Sequence, residues 1–243
     1  VLEERFDPNA MLAILAHPGM DDASKNKLKL MHKKRRDGNG LCVTYSKNNK
    51  MGYGRLYADK GLSLQIVPAD IHNALCCQLV HDIDMANAHP NIVLHLANKH
   101  GWVRDRLERL CCSHEQVLQV VQQAYVIDRA DAKAVLLKLM YLGGLPVDHK
   151  NAKAVEGLQC GDIDSYEVPA SSSTYTYLED LQAELRALAS NIAAQYPQHA
   201  KEAARQRTAS NKTSGHPLAT AVSLVVSDVE NRALLAMMRE LQV

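Results

Sequence analysis

Residues 79–97 read Leu-Val-His-Asp-Ile-Asp-Met-Ala-Asn-Ala-His-Pro-Asn-Ile-Val-Leu-His-Leu-Ala, and the fold assignment turns on them. The short apolar run that leads in, Leu75 to Val80, carries two cysteines and predicts a buried strand. Two carboxylates one residue apart, Asp82 and Asp84, stand where that strand should end. Asn87, His89 and Pro90 follow, and the amphipathic stretch from Asn91 to Lys99 predicts a helix. Carboxylates at a strand end beside a helix start offer the hard oxygen ligands that divalent cations take. The plain alternative is that Asp84 caps the next helix, since Asp is a favoured N-cap.

Bulk properties narrow the class. At 243 residues the chain can bury a substantial core, as one large domain or two small ones. Nearly half the residues are hydrophobic, which argues for a globular rather than a disordered chain. A net charge of +1 gives no overall pull toward polyanions, so any polyanion site must come from local clustering. The cysteines are Cys42, Cys76, Cys77, Cys111, Cys112 and Cys160. Two adjacent pairs without C-x-x-C spacing make no zinc signature, and such cysteines are expected of an intracellular, reducing compartment. No apolar run approaches bilayer length and no signal peptide is visible. A start at Val1 is expected of an internal piece or processed product of something longer.

In chain order, a weak helix over Met11 to Ala16 precedes a turn at His17-Pro18-Gly19. Lys25 to Arg36, KNKLKLMHKKRR, holds seven Lys or Arg in twelve positions and no acid. Such a run is either a solvated helix face or a phosphate-backbone contact. Asp37 to Gly40 predicts a turn, Leu41 to Ser46 a strand, and Lys47 to Lys50 a basic turn. Gly52-Tyr53-Gly54 before Arg55 would let backbone and guanidinium approach a ligand closely.

Residues 102–126 predict two helices broken near Ser113-His114-Glu115, with Ser113 and Gln116 matching a capping box. A helix from about Asp128 to Leu142 should stop at Gly143-Gly144 and Pro146. On it Arg129, Lys133, Leu137 and Tyr141 recur every four residues and share one face. Two cations in its N-terminal turns oppose the macrodipole, which suggests an anionic ligand. Asn151 to Thr174 reads as a loop or insertion, Tyr175 to Tyr196 as a helix, and His199 to Arg207 as a basic stretch with one acid, Glu202. Thr208 to Gly215 is turn-rich. Pro217 to Leu241 predicts a long helix whose apolar pattern is interrupted by Ser223, Ser227, Glu230 and Asn231.

Taken in order, these pieces resemble the polymerase module of family A (DNA polymerase I-type) DNA polymerases and, more distantly, single-subunit phage RNA polymerases. Gly54-Arg55-Leu56, Leu64 to Pro68 and Ile71-His72 are similar to the family's T-G-R-L-S-S, N-L-Q-N-I-P and I-R segment. Asp84 to Ala97 aligns without gaps with motif A, D-Y-S-Q-I-E-L-R…H-L. Arg129, Lys133 and Tyr141 reproduce the R-x3-K-x7-Y spacing of motif B, and the terminal helix is similar to the one before motif C. The D-I-D-x-x-N-x-H-P form of motif A is similar to that of a viral or mobile-element branch.

The resemblance implies an α+β fold, a palm with an antiparallel sheet plus helical fingers. It divides the chain into a basic helical segment at 1–40 (a thumb-junction remnant), a palm part at 41–110, helical fingers at 111–203 and a terminal palm helix at 204–243. It implies that Asp84 and the carbonyl of Met85, with Asp82 as a further candidate, hold Mg²⁺ or Mn²⁺. Arg129 and Lys133 would hold a nucleoside triphosphate whose pocket includes Asn87, His89, Leu137 and Tyr141. Arg55 and Gln65, with Lys33, Lys34, Arg35 and Arg36, would touch primer–template nucleic acid.

Departures from the pattern are specific. His89 replaces the glutamate that governs sugar selection in the family. Leu142 intervenes where the family has glycine after the motif B tyrosine, Leu137 replaces its stacking residue, and His72 stands where arginine is usual. Motif C, which supplies the second metal carboxylate, is absent, so another segment or subunit would have to provide it. The expectation is a template-directed nucleotidyltransferase fragment. Its alternatives are a polymerase-derived binding or structural subunit without catalysis, and a helical adaptor in which Asp84 and Asp128 are caps.

Overall fold

The computed structural model describes residues 2–35, 40–47, 52–59, 62–79, 85–145, 173–210 and 216–241. Within them the protein is α+β and helix-rich, with two small antiparallel sheets. It divides into two compact units, residues 1–85 and 86–243. The boundaries expected after residues 110 and 203 fall inside helices of the second unit.

The first unit opens with β1 (Leu2–Arg5), α1 (Pro8–Ala16) and α2 (Asp22–Lys34). β2 (Gly40–Val43) pairs with β1, with Glu3 opposite Cys42. β3 (Tyr45–Lys47) pairs with β4 (Leu56–Ala58), with Ser46 opposite Tyr57. A 3-10 turn (Leu64–Ile66) and α3 (Ala69–Cys76) complete it. Its core gathers Phe6, Met11, Leu28, Met31, Leu41, Val43, Leu64, Leu75 and Cys76. Asp7 caps α1 by accepting from the amides of Asn9 and Ala10, and Asp21 caps α2 by accepting from Ser24. Glu4 ties the parts together: its carboxylate accepts from the Tyr45 hydroxyl and from the Leu64 amide at 2.7 Å. Burial first, and then the neighbouring Glu4 carboxylate, push the Tyr45 phenol up to about 12.

Two expectations for this unit change. Residues 75–76 end a helix, and Cys77 to Leu79 form a turn, so no strand leads in across 75–79. An apolar run this short fits a strand or a helix turn equally well, so packing decides. Pro68 instead sets up the start of a helix whose Ile71 and Leu75, four apart, face the core. The strand expected over 41–46 is two strands, broken at Thr44.

The second unit is all helix among its described residues: α4 (Ala88–His100), α5 (Asp105–Cys112), α6 (His114–Tyr125), α7 (Arg129–Met140), α8 (Ser173–Gln195), α9 (Pro197–Ala209) and α10 (Pro217–Leu241). Leu178, Leu181, Leu185, Leu188 and Ile192 of α8 are buried at alternating three- and four-residue spacing, the stripe expected of a helix packed lengthwise against neighbours. α8 packs against α5, where Leu107 and Leu110 are buried, against α6, where Val117, Leu118 and Val121 are buried, and against α7. α8 also caps α5 from outside, since the Glu184 carboxylate accepts from the amides of Leu107 (2.8 Å) and Arg106 (3.1 Å). Arg106 reaches Asp180 at 2.7 Å, and the Tyr177 hydroxyl donates to the Arg106 carbonyl. α9 and α10 are latched by a half-buried His199–Asp228 pair at 2.8 Å. The loop expected over 151–172 and the turn residues 211–215 lie outside the described residues; residues 173–174 already belong to α8.

The capping box expected at Ser113 is not formed. Ser113 is the single residue between α5 and α6, so its amide closes α5 on the Arg109 carbonyl while its carbonyl receives Val117 of α6. With its backbone shared between two helices, the side chain makes no cap bond.

α4, α6 and α7 end alike, on a left-handed residue: Gly101 (φ 68°), Val126 (φ 52°) and Leu142 (φ 61°). Glycine adopts that conformation freely, whereas a β-branched residue is strained in it. Val126 is 67% exposed, so its side chain gives back little. Val126→Gly is expected to raise stability by about 1 kcal/mol, read as a higher urea midpoint at unchanged slope; an unchanged or lower midpoint would contradict the strain.

Burial also pushes the Tyr177 phenol up to about 12, against an ordinary 10.0. A raised phenol means that the folded state holds its proton more tightly. The stabilisation is therefore complete below pH about 10 and disappears as pH rises toward about 12. Urea midpoints should fall across that window, and Tyr177→Phe should flatten part of the fall.

Candidate functional site

The face expected on α7 is formed. Asp128 caps the helix by accepting from the Asp131 amide at 2.8 Å, while Ala132, Val135, Leu136, Leu139 and Met140 are buried. Those apolar residues leave Arg129, Lys133, Leu137 and Tyr141 on the outer face, with Leu137 45% and Tyr141 42% exposed. At 1.5 Å per residue the row runs about 18 Å from Arg129 to Tyr141.

At its far end the Tyr141 ring meets His89, the second residue of α4, edge to face at 5.0 Å between centroids. The chain thereby brings a residue of the 79–97 stretch against the outer face of α7. Asn87, also expected in the pocket, is the N-cap of α4 and takes a left-handed conformation (φ 48°), which asparagine tolerates better than most residues. Asn91 braces it, donating to the carbonyls of Ala86 at 3.0 Å and Asn87 at 3.2 Å. The N-cap position of α4 is thus Asn87, while Asp84, the other candidate cap, lies outside the described residues.

At the cationic end, Arg129 is engaged by a residue that no local pattern marks. Glu115 of α6 accepts from it twice, at 2.6 and 3.2 Å. The shared hydrogen bonds hold the Glu115 carboxyl below its ordinary range and raise the Arg129 guanidinium. Both groups are exposed, so solvent and salt screen the pair and an incoming anion can compete for the arginine. Lys133, one turn on, is exposed.

The remaining expected residues lie in the first unit or outside the described residues. Gly52 (φ 72°) and Gly54 (φ 88°) are both left-handed, so the backbone itself demands those glycines ahead of exposed Arg55. The Gln65 side chain is turned onto its own chain: it accepts from the Ala58 amide and donates to the Leu56 carbonyl. It acts as an extra rung on β4. Lys33, Lys34 and Arg35 are exposed at the end of α2, where Arg35 bonds His32. Met85 is half-buried. Asp82, Asp84 and Arg36 lie outside the described residues. Among the described residues no group of three or more His, Cys, Asp or Glu could hold a metal ion. The described cysteines, Cys42, Cys76, Cys77, Cys111 and Cys112, are free thiols. No helix of the described residues is long and apolar enough to cross a membrane.

Sequence reasoning missed the partners that come from far along the chain, Glu115 for Arg129 and Glu184 for the start of α5. It also missed an open cavity of about 670 Å³ in the first unit, lined by Ile14, Met20, Pro68 and Ile71 among others.

Comparison with known proteins gives one distant likeness. Over 175 residues the chain is 29% identical to Putative helicase V13 of Sputnik virophage, a match taking in 65% of this chain and 22% of that protein. The chain thus spans about a fifth of the length of the curated relative it matches. No family model matches it, and no solved structure does.

Tyr141 is placed by the way α7 ends. The Gly143 amide donates to the Lys138 carbonyl at 2.9 Å, that of Leu142 donates to Leu139 at 2.8 Å, and the Gly143 carbonyl accepts from Gln182 of α8. A Cβ on Gly143 would stand 2.9 Å from the Lys138 carbonyl oxygen and 2.5 Å from its side chain. Gly143→Ala should cost about 1–3 kcal/mol and weaken the nuclear Overhauser contact between the His89 and Tyr141 rings. A variant with the wild-type midpoint and contact would show that this end tolerates a side chain.

Proposed function

We propose that the chain is part of a template-directed nucleotidyltransferase of the family A type, adding nucleotides to a primer by phosphoryl transfer. The observation that carries this reading is the His89–Tyr141 contact at the end of the Arg129–Lys133–Leu137–Tyr141 face. That residues of the two stretches resembling motifs A and B meet within one compact unit supports the reading. In this reading the triphosphate lies along α7. Arg129 and Lys133 neutralise its charge, and the nucleoside end reaches Leu137, Tyr141, His89 and Asn87. Such positioning and charge compensation are most of what phosphoryl transfer asks of a protein. Asp84, the Met85 carbonyl and Asp82 offer oxygen donors of the kind that suit Mg²⁺ or Mn²⁺.

The likeness to a virophage protein named as a helicase supports work on nucleic acid and a viral or mobile-element kinship. An intracellular, reducing compartment fits the cysteine usage. A catalytic carboxylate from another segment or subunit completes the site.

The test has two stages. A fluorescent nucleoside triphosphate should bind the chain, and Lys133→Ala should weaken it roughly tenfold or more. In a protein carrying the full catalytic set, Asp84→Ala should abolish primer extension; full extension by that variant would sink the assignment. The Arg129–Glu115 pair favours a second reading, a polymerase-derived subunit that binds nucleic acid without transfer. Glu115→Gln separates the two: releasing Arg129 should tighten nucleotide binding under the first reading and leave it unchanged under the second.

A further inference from the structure

The strongest charged feature outside the α7 face is α2. Its Leu28 and Met31 are fully buried in the core of the first unit, which fixes which side of the helix looks outward. After Asp22 the helix has no acid, so its cations have no carboxylate partner within the helix. Lys25, Lys29 and Lys33 recur every four residues and form one row; Lys27 and Lys34, seven apart, form another. Between the rows lies a narrow ridge of Asn26 and Leu30, both exposed. All of these lysines are exposed except Lys25, which is half-buried, and exposed Arg35 extends the charge at the C-terminal end.

We infer that α2 is a duplex-DNA docking surface, seated over the major groove with each lysine row against one phosphate backbone. The inference takes its choice of polyanion from the nucleic-acid reading above and adds an element, a groove and a duplex form. Geometry selects the groove. A helix with its side chains is about 10–12 Å across, and the major groove of B-form DNA is about 12 Å wide. Two rows flanking one ridge therefore meet both backbones at once. A-form RNA has too narrow a major groove to admit such a helix. Single strands are gripped by aromatic platforms, and the outer face of α2 has none. A membrane surface requires an apolar face to insert, and here the core already occupies it. The ridge offers one amide and one leucine, too little for base readout, so binding is independent of sequence.

The test is fluorescence anisotropy of the whole chain with duplex DNA, duplex RNA and single-stranded DNA of one sequence, between about 50 and about 200 mM salt. Duplex DNA should bind tightest. Lys29→Gln and Lys34→Gln, one from each row, should each lower the log–log salt slope by about 0.9, and Lys27, Lys29, Lys33 and Lys34→Gln together by about 3.6. Arginine at the same four positions should restore the slope, and circular dichroism checks that each variant folds. Equal affinity for duplex RNA, an unchanged slope in the glutamine variants, or preferential capture by anionic vesicles would each overturn the inference. Lys133→Ala keeps the two readings apart: it should weaken nucleotide binding roughly tenfold or more and keep duplex binding. Loss of either activity alone then indicts only its own reading.

Discussion

The second unit depends on one stripe, Leu178 to Ile192 along α8. Burying each of these side chains is worth about 1.5–3 kcal/mol, and they sit on a helix that packs against α5, α6, α7, α9 and α10. The polar contacts along its flank then fix register where apolar packing would allow sliding. Glu184 accepts the first amides of α5, Asp180 takes Arg106, and Arg109 lies over the Tyr177 ring at 4.9 Å. Because α7 spends its apolar side on this spine, its cations and Tyr141 have only the outside left to occupy. The candidate nucleotide face is thus a consequence of packing before it is a matter of chemistry.

The first unit solves a similar problem with less material. Its core is small, and Glu4 crosses it to hold β3 and the 3-10 turn in place. A carboxylate that receives two hydrogen bonds in a half-buried position organises its neighbours, because either donor left without it would carry a desolvation cost of about 1–3 kcal/mol. Two short strand pairs could not achieve this alone. With Leu28 and Met31 drawn into that core, α2 has no freedom to hide its lysines, and the concentration of charge on one surface follows.

How far the sequence could be read depended on the range of the interactions involved. α8, α10 and the α7 face were legible because periodicity, Pro197 and Pro217 and the Gly143-Gly144 stop are local signals. Residues 75–79 were not, because a six-residue apolar run fits a strand or one turn and a half of helix equally well, and the core that decides lies elsewhere in the chain. Ser113 misled for a subtler reason. Its sequence is that of a cap, but one residue cannot end one helix, begin the next and also turn its hydroxyl inward. Glu115 facing Arg129, and Glu184 facing α5 from 77 residues away, have no sequence signature at all. Of the candidate site, the row on α7 was legible, and its meeting with His89 was visible only through the proposed motif alignment.

The end of α7 shows how packing can stand in for backbone freedom. The residue after Tyr141 must turn left-handed to let the Gly143 amide return to the Lys138 carbonyl, and glycine is the usual choice there. Leu142 takes that conformation at a cost of about 1–2 kcal/mol. Unlike Val126 it is 5% exposed, so burial of its side chain offsets the strain. The same turn that strains Leu142 anchors it in the core, and this leaves Tyr141, one residue earlier, pointing outward against His89. Glycine would make the turn without strain but without that anchor. At this turn packing therefore holds the position of the tyrosine, where glycine would rely on backbone freedom.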